Sequence, residues 1–282
     1  MEPGLPVQDA PPGAFTENYA ILNDLPMFWD ASLLEHGVHA PRFHRELPAR
    51  FAVIPRRGRT EDIRWFEADP TYVLHFTNAY EDGDEIVLEG FHQGCPEPAD
   101  DGSGDLMKRV FRYLALDHLQ TRLHRWRLDM RSGQVREERL TDTITEFGMI
   151  NGALGGRKHR YVYAATGVPG RFLFNGLVRH DVQTGAEESY SLGEGMYGSE
   201  TAMAPRVGST GEDDGYLVTL TTDMNADASF ALVFDAARVA DGPVCTLRLP
   251  ERISSGTHST WVAGSELRRW GATDTAAQAV GL

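Results

Sequence analysis

Strand-length apolar or alternating runs recur along most of this chain, each closed by a polar turn, and that rhythm constrains the fold more than any other feature. The runs are NYAILND (18–24), ARFAVIPRR (49–57), TYVLHFTNAYE (71–81), EIVLEGF (85–91), LHRWRLDM (123–130), HRYVYAAT (159–166), GLVRHDV (176–182), GYLVTLTT (215–222), FALVFDA (230–236) and VCTLRL (244–249). Turn signals such as EDGDE (81–85), MRSGQ (130–134) and VQTGAEE (182–188) fall between them and join neighbouring runs as hairpins. Residues 123–140 alternate, turn at Ser132 and Gly133, and alternate again, which predicts a meander of antiparallel strands. Helical spacing is confined to SLLEHG (32–37), a single turn, and to residues 105–123, where strand-favouring residues interrupt it. The class is therefore all-β, a sandwich, barrel or propeller, with no strict internal repeat to choose among them.

Composition narrows the function. The chain has 282 residues, 41% of them hydrophobic, enough for one large domain or two small ones. Forty-one acidic against 27 basic residues leave a net charge of −14, with no basic stripe, which argues against a nucleic-acid partner. Cys95 and Cys245 are the only cysteines, with no zinc-like Cys/His spacing, and fit a reducing cytoplasm. Residues 1–13 are Pro/Gly-rich and expected to be unstructured; they carry neither the basic nor the apolar part of a signal peptide, and no run approaches the ~20 apolar residues of a membrane span.

The ten histidines are the candidate ligands. His36, His39 and His44 lie in a polar loop, His118 and His124 flank a charged run, and His159 sits in GRKHRY; each reads as a surface or locally satisfied residue. FHRE (43–46) holds an H-x-E pair, but three residues match by chance too readily to define an iron site, and DDGSGD (100–105) lacks the remaining calcium ligands of an EF-hand. His75 and His258 differ. His75 sits in an apolar strand that runs into Thr-Asn-Ala-Tyr-Glu and a tight acidic turn, and His258 sits among small residues in SSGTHSTWV, where backbone can approach the ring closely. Each is either a metal ligand or a buried structural histidine.

Six blocks, TENYAI (16–21), ELPARFAVIPRRG (46–58), VLHFTNAYEDGDEIVLEG (73–90), TEFGMIN with GRKHRYVYA (145–164), YGSETAMAPR (197–206) and the segment ending THSTWV (257–262), run in order along nearly the whole chain. In these blocks the sequence resembles the carotenoid cleavage oxygenase family, which includes lignostilbene and apocarotenoid dioxygenases. The resemblance implies a seven-bladed β-propeller with one Fe(II) on its axis, held by four histidines, three of them backed by glutamates. His75 matches the third ligand, His258 the fourth, and Glu146 and Glu200 match two of the supporting glutamates. Phe76, Tyr80 and Phe147 are candidate substrate liners, with core packing as the alternative for each. The implied reaction is O2-dependent scission of a conjugated C=C bond in an apolar carotenoid, apocarotenoid or stilbene-like substrate, giving two carbonyl products.

The resemblance also marks a departure. Pro11 stands where the family has its second histidine, and the first ligand and third glutamate would precede residue 1. The chain is thus expected to be the C-terminal part of a longer oxygenase: a non-native leader at 1–13, a partial propeller of about four blades at 14–265 (at roughly 70 residues per blade) and a tail at 266–282. With two imidazoles the isolated chain is expected to be inactive, its open blade edges inviting a missing N-terminal half or self-association. The competing expectations are a non-catalytic remnant that binds a polyene or a partner chain, and a calcium-dependent propeller hydrolase whose inward Asn/Asp ligands cannot be identified in this sequence.

Overall fold

The computed structural model describes residues 13–29, 31–37, 41–94, 96, 120–254, 258–265 and 267–268. The expected leader up to residue 12, Cys95, the acidic segment 100–105, the interrupted helical pattern as far as residue 119, and the tail from 269 onward lie outside them. Among the described residues the chain is almost entirely β, with a four-residue helix at Ala31–Leu34, inside the short turn read from SLLEHG, a few 3-10 turns, and further helical residues at 264–265 and 267–268.

Four antiparallel sheets of four strands follow one another along the chain. The first comprises β1 (Ala14–Phe15), β2 (Tyr19–Asp24), β5 (Ala49–Pro55) and β6 (Arg64–Ala68), with a separate hairpin of β3 (Met27–Trp29) and β4 (Pro41–Phe43) inserted between β2 and β5. The second is β7 (Tyr72–Asp82), β8 (Glu85–Gln93), β9 (Arg122–Asp129) and β10 (Val135–Arg139). The third is β11 (Thr145–Met149), β12 (Tyr161–Gly167), β13 (Phe174–Asp181) and β14 (Glu187–Ser191), and the fourth β15 (Met196–Pro205), β16 (Gly215–Asp223), β17 (Ala228–Asp235) and β18 (Pro243–Arg248). In each of the last three the strands pair in chain order, as in a meander. The EDGDE turn is a two-residue hairpin loop in which Asp82 pairs with Glu85 and Gly83 takes φ +67°.

Burial sorts the strands within each sheet. β8 is buried almost end to end, as befits a strand covered on both faces, whereas β10, β14 and β18 are largely exposed. In β10 (VREER) and β14 (EESYS) charged residues blunt the open edge. The first strands lie at the opposite side of their sheets and next to one another in succession: β1 beside β7, β7 beside β11, β11 beside β15. Apolar side chains then fill the space between successive sheets. Phe51, Phe66 and Val53 meet Leu88, Trp126 and Leu128 between the first and second; Phe91 and Leu123 meet Val162, Ala164 and Val178 between the second and third; Tyr163 and Leu177 meet Met203, Leu217 and Phe234 between the third and fourth.

Polar pins fix the register of these contacts. Glu81 on β7 accepts hydrogen bonds from Thr16 Oγ1 (2.7 Å) and the Asn18 amide (2.8 Å), so the Thr-Glu-Asn-Tyr turn of the first sheet is held by the second. Glu89 is fully buried; its Oε1 accepts from Arg125 Nε at 2.8 Å and its Oε2 lies 3.0 Å from His159 Nε2. Burial alone would push the Glu89 carboxyl's pKa up, but His159 and Arg125 more than reverse this and hold it below the ordinary carboxylate value. Arg125 also donates to the Val182 carbonyl, and Asn78 donates to the Arg157 carbonyl, so the network crosses from the second sheet to the third. His159 and His124, read from the sequence as unremarkable, are both buried participants in such pins.

An equivalent device recurs at two outer edges. Glu137 on β10 accepts from the Asp69 amide (2.7 Å), in the connector entering the second sheet, and lies 3.2 Å from His124 Nε2. Glu187 on β14 accepts from Thr141 and Thr143, in the connector entering the third, and lies 3.2 Å from His180 Nδ1. No described helix is long and apolar enough to cross a membrane.

Two outcomes follow. Replacing Glu89 with alanine leaves buried Arg125 with only the exposed Glu138 carboxylate at 3.5 Å and buried His159 without its carboxylate partner, and should lower unfolding stability by about 3–5 kcal/mol, read by urea denaturation. The His180 hydrogen bond, opposed by burial and reinforced by Thr141 and Thr143, holds the Glu187 carboxyl down at about 2, well below the ordinary range of a glutamate. A carboxylate whose folded pKa is depressed stabilises the fold above its unfolded pKa and loses that contribution as pH falls toward the folded value. The Tm difference between the native chain and Glu187→Gln should therefore be constant above about pH 5 and shrink as pH falls from there toward 2.

Candidate metal centre

Three of the adjacent first strands carry the candidate residues, and their adjacency is what brings them together. His75 is on β7, Glu146 and Phe147 on β11, and Glu200 on β15. His258 follows the last sheet in a segment without regular structure, and 183 residues of chain (258 − 75) separate it from His75.

The two imidazoles stand with ring centroids 5.2 Å apart and planes at 81°. A metal–nitrogen bond of about 2.1 Å lets two imidazoles share one ion only when their centroids lie within roughly 6.5 Å, and this pair is inside that limit. Each ring has a carboxylate behind it. His75 Nδ1 is 2.7 Å from Glu146 Oε2, and His258 Nδ1 is 3.4 Å from Glu200 Oε2. At His75 the hydrogen bond from Nδ1 to Glu146 selects the tautomer with the proton there and leaves Nε2 as the lone-pair nitrogen, the state in which imidazole ligates a metal, whereas His258 and Glu200 are only in charge contact. Burial pulls the His75 pKa down, but the hydrogen bond and charge of Glu146, with the charge of Glu200, outweigh it and raise the value above that of an ordinary histidine.

The pairs differ in exposure. Glu146 is fully buried and the His75 side chain only 20% exposed, whereas the His258 side chain is 65% exposed. Backbone amides support both carboxylates: Phe147 N–H reaches Glu146 Oε2 at 2.5 Å, and Ser259 N–H reaches Glu200 Oε2 at 2.5 Å. Glu146 Oε1 is buried and has no hydrogen-bond partner among the described residues.

The local backbone explains how Glu146 comes to face His75. The β11–β12 ladder shifts between Glu146 and Met149, and within that irregularity Phe147 adopts φ +57°, a left-handed conformation that costs a non-glycine residue about 1–3 kcal/mol. The next residue is glycine. A Cβ on Gly148 would stand 2.6 Å from Thr77 Oγ1 and 2.7 Å from the Phe91 ring, so only glycine lets β11 lie this close to β7.

Aromatic rings close one side. Phe147 is buried with its centroid 5.0 Å from that of His75 and 6.0 Å from that of His258, and it packs on Phe174 (5.0 Å) and Phe172 (6.5 Å). Of the three aromatic residues expected to line a substrate site, Phe147 alone packs against these imidazoles. Phe76 packs on Phe51 and Trp126 between the first two sheets, and Tyr80 packs on His159 beside the Glu89 network, where core packing accounts for both. Apolar alternation did not disclose β11 or β15 as strands, and Phe172, Phe174, Gly148 and the Phe147 and Ser259 amides carry no signal of their own; Gly148 next to a matched glutamate was the nearest to one. The H-x-E pair at 44–46 amounts to an exposed His44–Glu46 contact of 3.0 Å. No cluster of three or more His, Cys, Asp or Glu suited to a metal occurs among the described residues.

Sheets in succession whose first strands converge on a pair of carboxylate-backed histidines define a class of β-protein with a histidine-lined centre. The chain belongs to the carotenoid cleavage oxygenase family: residues 13–263 match the family described as retinal pigment epithelial membrane protein. It is 33% identical over 271 residues to a carotenoid 9,10(9',10')-cleavage dioxygenase 1 of Pisum sativum, covering 90% of this chain and 49% of that protein. It is 30% identical to lignostilbene-alpha,beta-dioxygenase isozyme III of Sphingomonas paucimobilis, covering 89% and 54%. Among solved structures, the cobalt-substituted apocarotenoid oxygenase of Synechocystis superimposes with a TM-score of 0.78 at 25% identity, covering 88% of this chain and 52% of that one. The chain thus spans about half the length of the curated relatives it matches.

The close approach at Gly148 is testable. Gly148→Ala should destabilise the fold by about 1–3 kcal/mol in urea, because the added methyl would collide with the Thr77 hydroxyl and the fully buried Phe91 ring.

Proposed function

We propose that this chain carries half of the metal centre of a non-haem Fe(II) dioxygenase that cleaves a conjugated C=C bond of a carotenoid, apocarotenoid or stilbene-like substrate into two carbonyl products. The observation that carries the reading is the pair of imidazoles 5.2 Å apart, each with a carboxylate at Nδ1. His75 and His258 would hold the ion through Nε2, and Glu146 and Glu200 would fix the ring orientations. When bound, the iron supplies activation of O2 toward the double bond. The cobalt-substituted form of the Synechocystis relative, together with the dioxygenase names of the relatives, supports a metal-dependent oxygenase reading.

The chain's own residues contribute position and dryness. Phe147, Phe172 and Phe174 form an apolar wall that excludes water from the His75 side and offers ring faces to a flat conjugated substrate. Glu146, buried and held by two donors, stands at His75 Nδ1, the second-partner arrangement that makes an imidazole a stronger donor to a cation.

In this proposal the four sheets are blades of an incomplete propeller, and two further imidazoles come from a separate stretch of polypeptide. The chain alone then holds iron loosely, because two ligands leave most coordination positions to water, and it has no turnover. Exposed Leu22 and Trp65 on the first sheet, in register on either side of the buried Ala52, mark where such a stretch would pack. The cytoplasmic setting expected from cysteine usage belongs to the same proposal. A non-catalytic role in binding a polyene or partner remains the alternative for the chain by itself, favoured by the 65% exposure of His258.

Anaerobic titration with Co(II), followed by visible absorption, tests the centre. Weak binding by the native chain, abolished in His75→Ala and weakened about 10–100-fold in Glu200→Gln, is the expected result. Binding unchanged by His75→Ala would overturn the ligand assignment, and tightly held stoichiometric iron with turnover in the chain alone would overturn the half-centre.

A further inference from the structure

We propose that Phe147 is a positioning residue whose left-handed backbone turns its own N–H onto Glu146 and thereby sets the orientation of His75; this rests on the reading of His75 as a ligand. In a regular strand the amide of a residue points along the ladder toward the neighbouring strand, not toward the preceding side chain. Here the ladder is broken after Glu146, φ of Phe147 is +57°, and the amide meets Glu146 Oε2 at 2.5 Å. The same oxygen meets His75 Nδ1 at 2.7 Å. Two donors on one oxygen remove the carboxylate's freedom to rotate, and the other oxygen, buried and without a described partner, supplies no competing anchor.

The strained backbone therefore does for Glu146 what a side-chain donor does elsewhere. At the second pair the amide comes instead from Ser259, the residue after the histidine, so that carboxylate is held by the segment it orients. Glu146 receives its hold from its own strand, independent of His75, and keeps its place whether or not the ring is ligated. The Phe147 ring adds a second restraint, since it lies against both imidazoles.

The separation of backbone from ring decides the test. Phe147→Gly retains easy access to positive φ and removes the ring, whereas Phe147→Val keeps an apolar side chain but disfavours positive φ. Side-chain 15N and 1H NMR of metal-free protein should show His75 protonated at Nδ1, with a downfield hydrogen-bonded proton, in the native chain and in Phe147→Gly. That signature should be lost in folded Phe147→Val, with Co(II) affinity falling about 10–100-fold relative to the native chain. If Phe147→Val does not fold, the native chain decides against Glu146→Gln: the Phe147 amide proton should be shifted downfield by the carboxylate in the former and move upfield in the latter. An unchanged His75 signature in folded Phe147→Val, or a Phe147 amide indifferent to Glu146→Gln, overturns the proposal. Failure of cobalt to bind any form with these NMR signatures intact would instead count against the ligand reading alone.

Discussion

The docking of the second sheet on the third is the constraint on which this structure's chemistry depends. His75 and Glu146 belong to different sheets, and their hydrogen bond tolerates only a few tenths of an ångström of slippage between them. Apolar packing across that interface is strong but nearly indifferent to register. Buried charges are not indifferent. Arg125 and Glu89 pair within the second sheet, but the Glu89–His159 contact and the Arg125 bond to the Val182 carbonyl reach the third, and any shift between the sheets strands buried polar groups without those partners. The network thus converts a greasy contact into a fixed one, and Gly148 then permits the final approach of β11 to β7.

A gradient of environment runs across each sheet from this arrangement. First strands meet one another and bring His75, Glu146 and Glu200 together; β8 in the middle of its sheet is buried almost end to end; β10 and β14 at the outer side are charged and face water. The outer edges are not idle, because Glu137 and Glu187 clasp the connectors that lead back to the next first strand. Among the described residues left-handed backbone without glycine occurs at Phe147 and at Asp227 in the β16–β17 turn, and only Phe147 stands beside the imidazole pair. The site is accordingly asymmetric, with one histidine enclosed and pinned and the other open to solvent at the end of the described fold.

What the sequence by itself determined was the all-β class, most hairpins, and the identity of the residues that meet. Period-two alternation and Gly-containing turns are local properties, and local physics suffices to read them; the ordered blocks around His75, Glu146, Glu200 and His258 carried the family. β11 and β15 escaped the pattern because TEFGM and MYGSETAMAP mix a buried carboxylate, glycines and small residues, a composition suited to a crowded centre and not to an ordinary half-buried strand. Only the tertiary structure decided which aromatics stand at the site: Phe76 and Tyr80 point into packing between sheets while Phe172 and Phe174 join Phe147, a distinction set by bulges and sheet docking that neighbouring residues do not encode. It alone brought together two imidazoles from distant parts of the chain, because a separation of 5.2 Å is the product of every sheet-to-sheet contact between them.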